Sequence, residues 1–353
     1  MMSRIFPVTL GLMLALAGCG TPDVEPPPQA STNSSSGGGS STSLAFHDGG
    51  AMPFEVTGDG FVEVLDDKNI GDMRALRLVM FMTEAPKIGK VYVWWMRSPA
   101  GKPANFGVLP YEDQPYKPSF EVIVGDPGDG SPPHIANFNG TFITYEDEDG
   151  AEDLKNPVGP LVWSGEQAIP VWSHVNHVLT ALDKNIGLIQ QSNTIMGALK
   201  AQLDQTKAAI KANKEKLARV HVEDLHTLLI GEKDASDLTG DGSFSTDLCP
   251  FSMGLAGAES PLREAVKHAG FALKAIQELG SDPHQIEEAY VKMMAASDAF
   301  NSKVVTGLDS MNTYASGGNS DFKAVNEAVS EFLKHGKEAL EASLLMSRIE
   351  LKP

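Results

Sequence analysis

The chain has 353 residues, with 46 acidic against 28 basic side chains and a formal charge of -18. That balance excludes a nucleic-acid-binding face and loose electrostatic adsorption to anionic lipid, since both need a basic surface. Hydrophobic residues at 42% suffice for two cores, and the two cysteines, Cys19 and Cys249, imply no disulfide framework.

The N-terminus places Arg4 before an apolar run from Val8 to Ala17. The run is too short to span a bilayer and suits a signal-peptide core. It closes in Leu16-Ala17-Gly18-Cys19, which resembles the lipobox of bacterial lipoproteins. An ordinary signal peptide with a chance cysteine is the competing reading; the placement of Cys19 at the end of the apolar run decides against it. The resemblance implies removal of residues 1–18 and a diacylglyceryl and palmitate-type anchor on Cys19, which holds a protein at a membrane without a spanning helix. Gly20 in the second mature position is similar to the outer-membrane sorting signal of enteric bacteria, so the implied location is the cell envelope, facing periplasm or exterior. Residues 19–43 are rich in Pro, Ser and Gly and poor in large apolar side chains. Such a segment cannot bury enough surface to fold and reads as a tether.

From 44 to 170, short apolar runs alternate with Gly, Pro and Asp. Residues 61–65, 74–83, 90–97, 119–125 and 141–146 read as strands, with turns at Gly58-Asp59-Gly60 and Asp129-Gly130. Many short strands without intervening helices predict a β-sandwich. Trp94 and Trp95 are adjacent, so in a strand they face opposite ways, one into a core and the other toward the surface or a neighbouring loop. The acidic stretch 146–153 reads as a solvated loop.

Tyr92, Trp95, Pro99, Gly101, Pro103 and Gly107 follow a Tyr-x-x-Trp, Pro-x-Gly-x-Pro, Gly order. With Gly159, Pro160 and Gly165 further on, this resembles the extracytoplasmic domain of anti-sigma-K factors. The matched residues are turn glycines and core aromatics, so the resemblance implies a fold more than a site. Those factors also carry a spanning helix and a cytoplasmic sigma-binding segment, neither of which is read here. A stress-signalling role therefore rests on the likeness alone.

After Pro170 the apolar period becomes helical, predicting a bundle over 171–353. Val175, Val178, Leu182, Ile186 and Ile189 form one stripe, and a second runs from Ile195 through Leu217 to about Ile230. Ser260-Pro261 starts a helix that Gly280 ends, Asp282-Pro283 opens another, and Ser316-Gly317-Gly318 separates it from the last. The predicted fold class is thus α+β multidomain, with an N-terminal β-sandwich followed by an α-helical bundle.

His174 and His177, three apart, share a helix face and can share a metal. His221 and His226, five apart, are a poor local pair, and His268 can approach any of these four across the bundle. No HExxH or haem-attachment motif accompanies these residues, so exposed or core-edge histidines are the favoured reading. Met293 and Met294 read as core filler, and Cys249 as a buried thiol.

The segment Asp237–Leu248, "DLTGDGSFSTDL", resembles an EF-hand or dockerin-type calcium loop. Asp237, Thr239 and Asp241 offer side-chain oxygens, Gly242 makes the turn, and Ser243 gives its carbonyl. Leu248 stands where a bidentate carboxylate belongs, with Asp247 one residue early. The expected cofactor is calcium, on Asp237, Thr239, Asp241, Ser243 and Asp247. With no convergent catalytic set, the expected function is a non-catalytic binding or structural module. Its partners would be the membrane, through the anchor, and an envelope protein or glycan. The alternative is an envelope metal enzyme or redox carrier using His174, His177 or Cys249.

Overall fold

The computed structural model describes residues 58–65, 75–82, 85–109, 119–123, 138–179, 181–182, 185–243, 245, 248–249, 251–257, 259–318 and 321–351. Cys19, the tether and Asp247 lie outside them. The fold is mixed α+β. The strands are β1 (Gly58–Leu65), β2 (Ala75–Met82), β3 (Lys90–Arg97), β4 (Pro103–Leu109), β5 (Ser119–Ile123), β6 (Gly140–Asp147), β7 (Leu161–Glu166), β8 (Ala181–Leu182), β9 (Asn185–Ile186) and β10 (Ile349–Leu351). The helices are α1 (Ile169–Leu179), α2 (Leu188–Lys211), α3 (Glu215–Ile230), α4 (Pro261–Glu278), α5 (His284–Ala315) and α6 (Phe322–Leu344).

Two antiparallel sheets run β10-β1-β2-β5 and β4-β3-β6-β7, and β8 pairs with β9. In the second sheet, β3 pairs along its length with β6, and the tryptophans alternate as a pleat requires. Trp94 enters the main core and Trp95 a smaller cluster with Val93, Phe142 and Ala151. Both are buried, Trp95 against a neighbouring loop as one of the two expected outcomes had it, and not at the surface. The reason is the segment after β6, whose Ala151 and Leu154 cover the outer face. Each indole N–H donates to a threonine of β6, Trp94 to Thr141 and Trp95 to Thr144, both at 2.8 Å. Burying two rings of roughly 200 Å² each contributes about 5 kcal/mol apiece as transfer free energy at ~25 cal/mol/Å².

A bulge in β4 makes that cover possible. Trp94 opposes Gly107 and Trp95 opposes Asn105, leaving Phe106 as the extra residue. Gly107 sits at φ 116°, which disfavours a side chain. The Asn105 amide donates to the carbonyls of Ala151, Glu152 and Leu154, pinning the covering segment. The acidic stretch is therefore only partly solvated. Glu146 is buried and accepts the N–H groups of Val158 and Gly159.

The helical stripes divide more often than their period predicts. The stripe ending at Ile189 is cut by the β8–β9 turn, which aligns Ala181 with Ile186. The next is cut where Asn213 adopts φ 56°, ending α2 and letting α3 turn back. Gly58-Asp59-Gly60, expected as a turn, is the start of β1. The expected helix limits hold at Pro261, Gly280 and Gly317, the two glycines having φ 66° and 82°.

Residues 44–353 form one compact unit. Its buried cluster runs from Val62 and Leu78 in the first sheet through Trp94 to Phe332 and Met346. One buried cluster thus draws on residues from both sides of position 170. β10 follows every helix yet pairs antiparallel with β1, Glu350 opposite Phe61. β7 lies against β10 so closely that a Cβ on Gly165 would stand 1.9 Å from the Glu350 carbonyl oxygen. Gly165→Val is expected to lower stability by about 2 kcal/mol or more, read as a lower urea midpoint; an unchanged midpoint would show that β10 does not dock there.

Candidate metal centre

α1 packs against α4. α1 buries Val171, Val175 and Val178, and α4 buries Ala265, Ala269 and Ala272, small side chains that let a neighbouring helix come close. His174 stands one turn from Val171 and Val178, and His268 one turn from Ala265 and Ala272. Both therefore sit at the margin of the buried stripes.

There the three histidines meet. His174 Nδ1 lies 3.1 Å from His268 Nδ1. One ligand nitrogen from each of His174, His177 and His268 lies within 4.8 Å of the others, and all three side chains are half-buried. The His268 ring centroid is 5.3 Å from that of His174 and 5.1 Å from that of His177. Phe271, one turn beyond His268, covers one side, at 5.4 Å from the His174 ring and 5.8 Å from the His268 ring. His177 Nδ1 is buried and has no hydrogen-bond partner among the described residues. Burial, then the charges of His177 and His174, push His268 down to about 4. Burial and His177 also lower His174. At neutral pH both rings are neutral, the form that ligates metals.

The residues of the acidic loop are arranged differently. Asp237 turns inward: Oδ1 accepts Gly240 N–H at 2.7 Å and Oδ2 accepts Gly242 N–H at 2.8 Å, with Thr239 Oγ1 donating at 3.3 Å. These N–H donors, Gly242 foremost, hold the Asp237 carboxyl below its usual range. Asp241 accepts both the N–H and the hydroxyl of Ser243. Gly240 and Gly242 have φ 73° and 89°, so both bends require glycine.

Two α3 carboxylates that the sequence reading missed lie beneath the loop. Glu223 Oε2 accepts Leu238 and Thr239 N–H at 2.6 and 2.8 Å, and burial raises its carboxyl. Asp224 is also raised by burial and is held by Ser245 and His221. Its Oδ1 is buried without a partner among the described residues. The signal for this pair was a Glu-Asp step entering the buried Val222–Leu229 stretch of α3.

The remaining candidates separate. Cys249 is buried, its thiol donates to the Thr227 carbonyl at 3.4 Å, and burial with the Glu232 charge pushes it up to about 11. It is a protonated thiol at neutral pH and a poor nucleophile. Burial lowers His226, and His221 Nδ1 lies 3.7 Å from Asp224. Met293 is core, as expected, whereas Met294 is exposed. A cleft of about 370 Å³ lies between β7, the start of α5 and β10, and carries charges of both signs, among them Glu166, Asp282, Arg348 and Glu350. Among the described residues no helix is long and apolar enough to cross a membrane.

No protein family, curated protein or solved structure matches the chain.

The lowered His268 has a signed consequence. Unfolded, it titrates near 6.5; folded, at about 4. Between these values the unfolded chain binds a proton that the folded chain does not, so this contribution is full above pH 6.5 and is lost as pH falls toward 4. The melting temperature of the parent should fall more steeply from pH 7 to 4.5 than that of His268→Gln. Parallel curves would show that His268 titrates normally.

Proposed function

We propose that this chain is a lipid-anchored extracytoplasmic protein of the bacterial envelope that acts as a non-catalytic binding or structural module. The observation that carries this reading is Leu16-Ala17-Gly18-Cys19 at the end of the apolar run, followed by a Pro/Ser/Gly tether and a single compact unit from residue 44. The two sheets are read as the layers of a sandwich, and the six helices as a bundle built onto them. The bulged β3–β4 hairpin with its buried Tyr92 and Trp95 supports the likeness to the anti-sigma-K domain. That likeness extends to a fold and not to sigma-factor control. The partner in this reading is an envelope protein or glycan. Expression of the full chain with labelled palmitate tests the anchor: the parent takes up label and sediments with membranes, and Cys19→Ala does neither. Label that persists in Cys19→Ala refutes the anchor.

Calcium in the loop belongs to the same reading. The supporting observation is the preformed turn around Asp237, with Glu223 fixing its first residues and Asp224 Oδ1 unpaired below it. Asp237, Thr239, Asp241 and Ser243, with Asp247, would supply the oxygens, and the millimolar calcium outside cells suits weak sites of this kind. Calcium is expected to raise the melting temperature of the parent and to leave Asp241→Ala unchanged. A calorimetric titration without heat at millimolar calcium removes the idea.

A further inference from the structure

We propose that His174, His177 and His268 form a binding site for one divalent transition-metal ion of the zinc class, with a fourth position open to water. The proposal is independent of the lipid anchor and of the calcium loop.

Two nitrogens on a tetrahedral zinc, each at ~2.0–2.1 Å from the ion, are about 3.3–3.4 Å apart. The Nδ1 atoms of His174 and His268 already stand 3.1 Å apart. His174 and His177 come from successive turns of one helix, and His268 from a helix packed directly on it. The packing of α1 on α4 therefore sets the three ring positions, with one ligand nitrogen from each within 4.8 Å of the others.

The competing account is a metal-free cluster in which one imidazole N–H donates to the next. That account satisfies His174 and His268 and leaves His177 Nδ1 buried and unpaired. A buried polar atom without a partner costs about 1–3 kcal/mol. A cation held by one nitrogen from each ring draws all three side chains into one site, their ligand atoms lying within 4.8 Å of one another. An all-imidazole set, without thiolate or carboxylate, suits zinc and its neighbours more than calcium or magnesium. Three protein ligands with one vacant position is the open arrangement of zinc sites that exchange a ligand. Phe271 shields the cluster on one side.

The test is calorimetric titration of the full chain in detergent with zinc chloride, after chelator treatment. One equivalent is expected to bind. His174→Gln and His268→Gln should each weaken binding by more than about 100-fold, beyond the loss that follows removal of an outer-shell partner. His335→Gln, which removes a histidine set between Glu331 and Glu338 on α6, should leave binding unchanged. Cobalt(II), read on the unaltered chain, should give tetrahedral d–d absorption and shift the ring protons of three of the nine histidines. This second measurement does not depend on any variant folding. Absence of binding at millimolar zinc overturns the proposal. So does binding that survives both cluster variants or is lost in His335→Gln.

Discussion

The structure depends on the return of Ile349–Leu351 to the first strand. β10 comes after all six helices and completes the sheet that β1 begins. The contacts around it tie the two halves together. The Gln167 amide donates to the Met346 carbonyl at 2.8 Å, Gln285 to the Glu350 carboxylate at 2.7 Å, and the Arg348 guanidinium lies 3.5 Å above the Phe61 ring. Two of these partners, Phe61 and Gln167, come from the β-rich half or its junction, and one, Gln285, from α5. The sheet therefore cannot close until the helices have delivered the last strand. Contacts of such sequence separation cost loop entropy before they return stability, so folding of this unit is expected to be slow for its size.

The two groups of ligand-type residues illustrate different uses of a helical scaffold. The histidines sit on packed helices, so their mutual positions follow from the α1–α4 interface and change little with local sequence. The acidic loop is organised by its own backbone, with Asp237 collecting N–H groups and α3 supplying only the carboxylates beneath. In the first case burial lowers pKa values and keeps imidazoles neutral. In the second, burial raises Glu223 and Asp224 while exposed N–H donors lower Asp237. The same physical cause, desolvation, thus favours neutral imidazoles in one place and protonated carboxyls in the other.

Much of the fold was legible where local pattern decides structure. The strands at 90–97 and 140–147 follow from alternation and β-branched or aromatic content, and the helix limits at Pro261, Gly280 and Gly317 from backbone chemistry. The misses have tertiary causes. β10 is three residues long and shows no period. Asn213 breaks a stripe whose apolar spacing continues across the break. The histidine pair on α1 was readable as a pair, but its third member depends on which helix packs beside it. That information lies in the alanine ridge of α4, which marks close approach without naming the neighbour.

The backbone contact at Gly165 also concerns solubility. A sheet edge with unpaired N–H and C=O groups is a template for joining another chain. β1 would present such an edge without β10, which pairs along it and packs its backbone over the face of β7 at Gly165. Detachment of this one short segment would uncover the β1 edge, making residues 349–351 a point through which two copies would exchange strands.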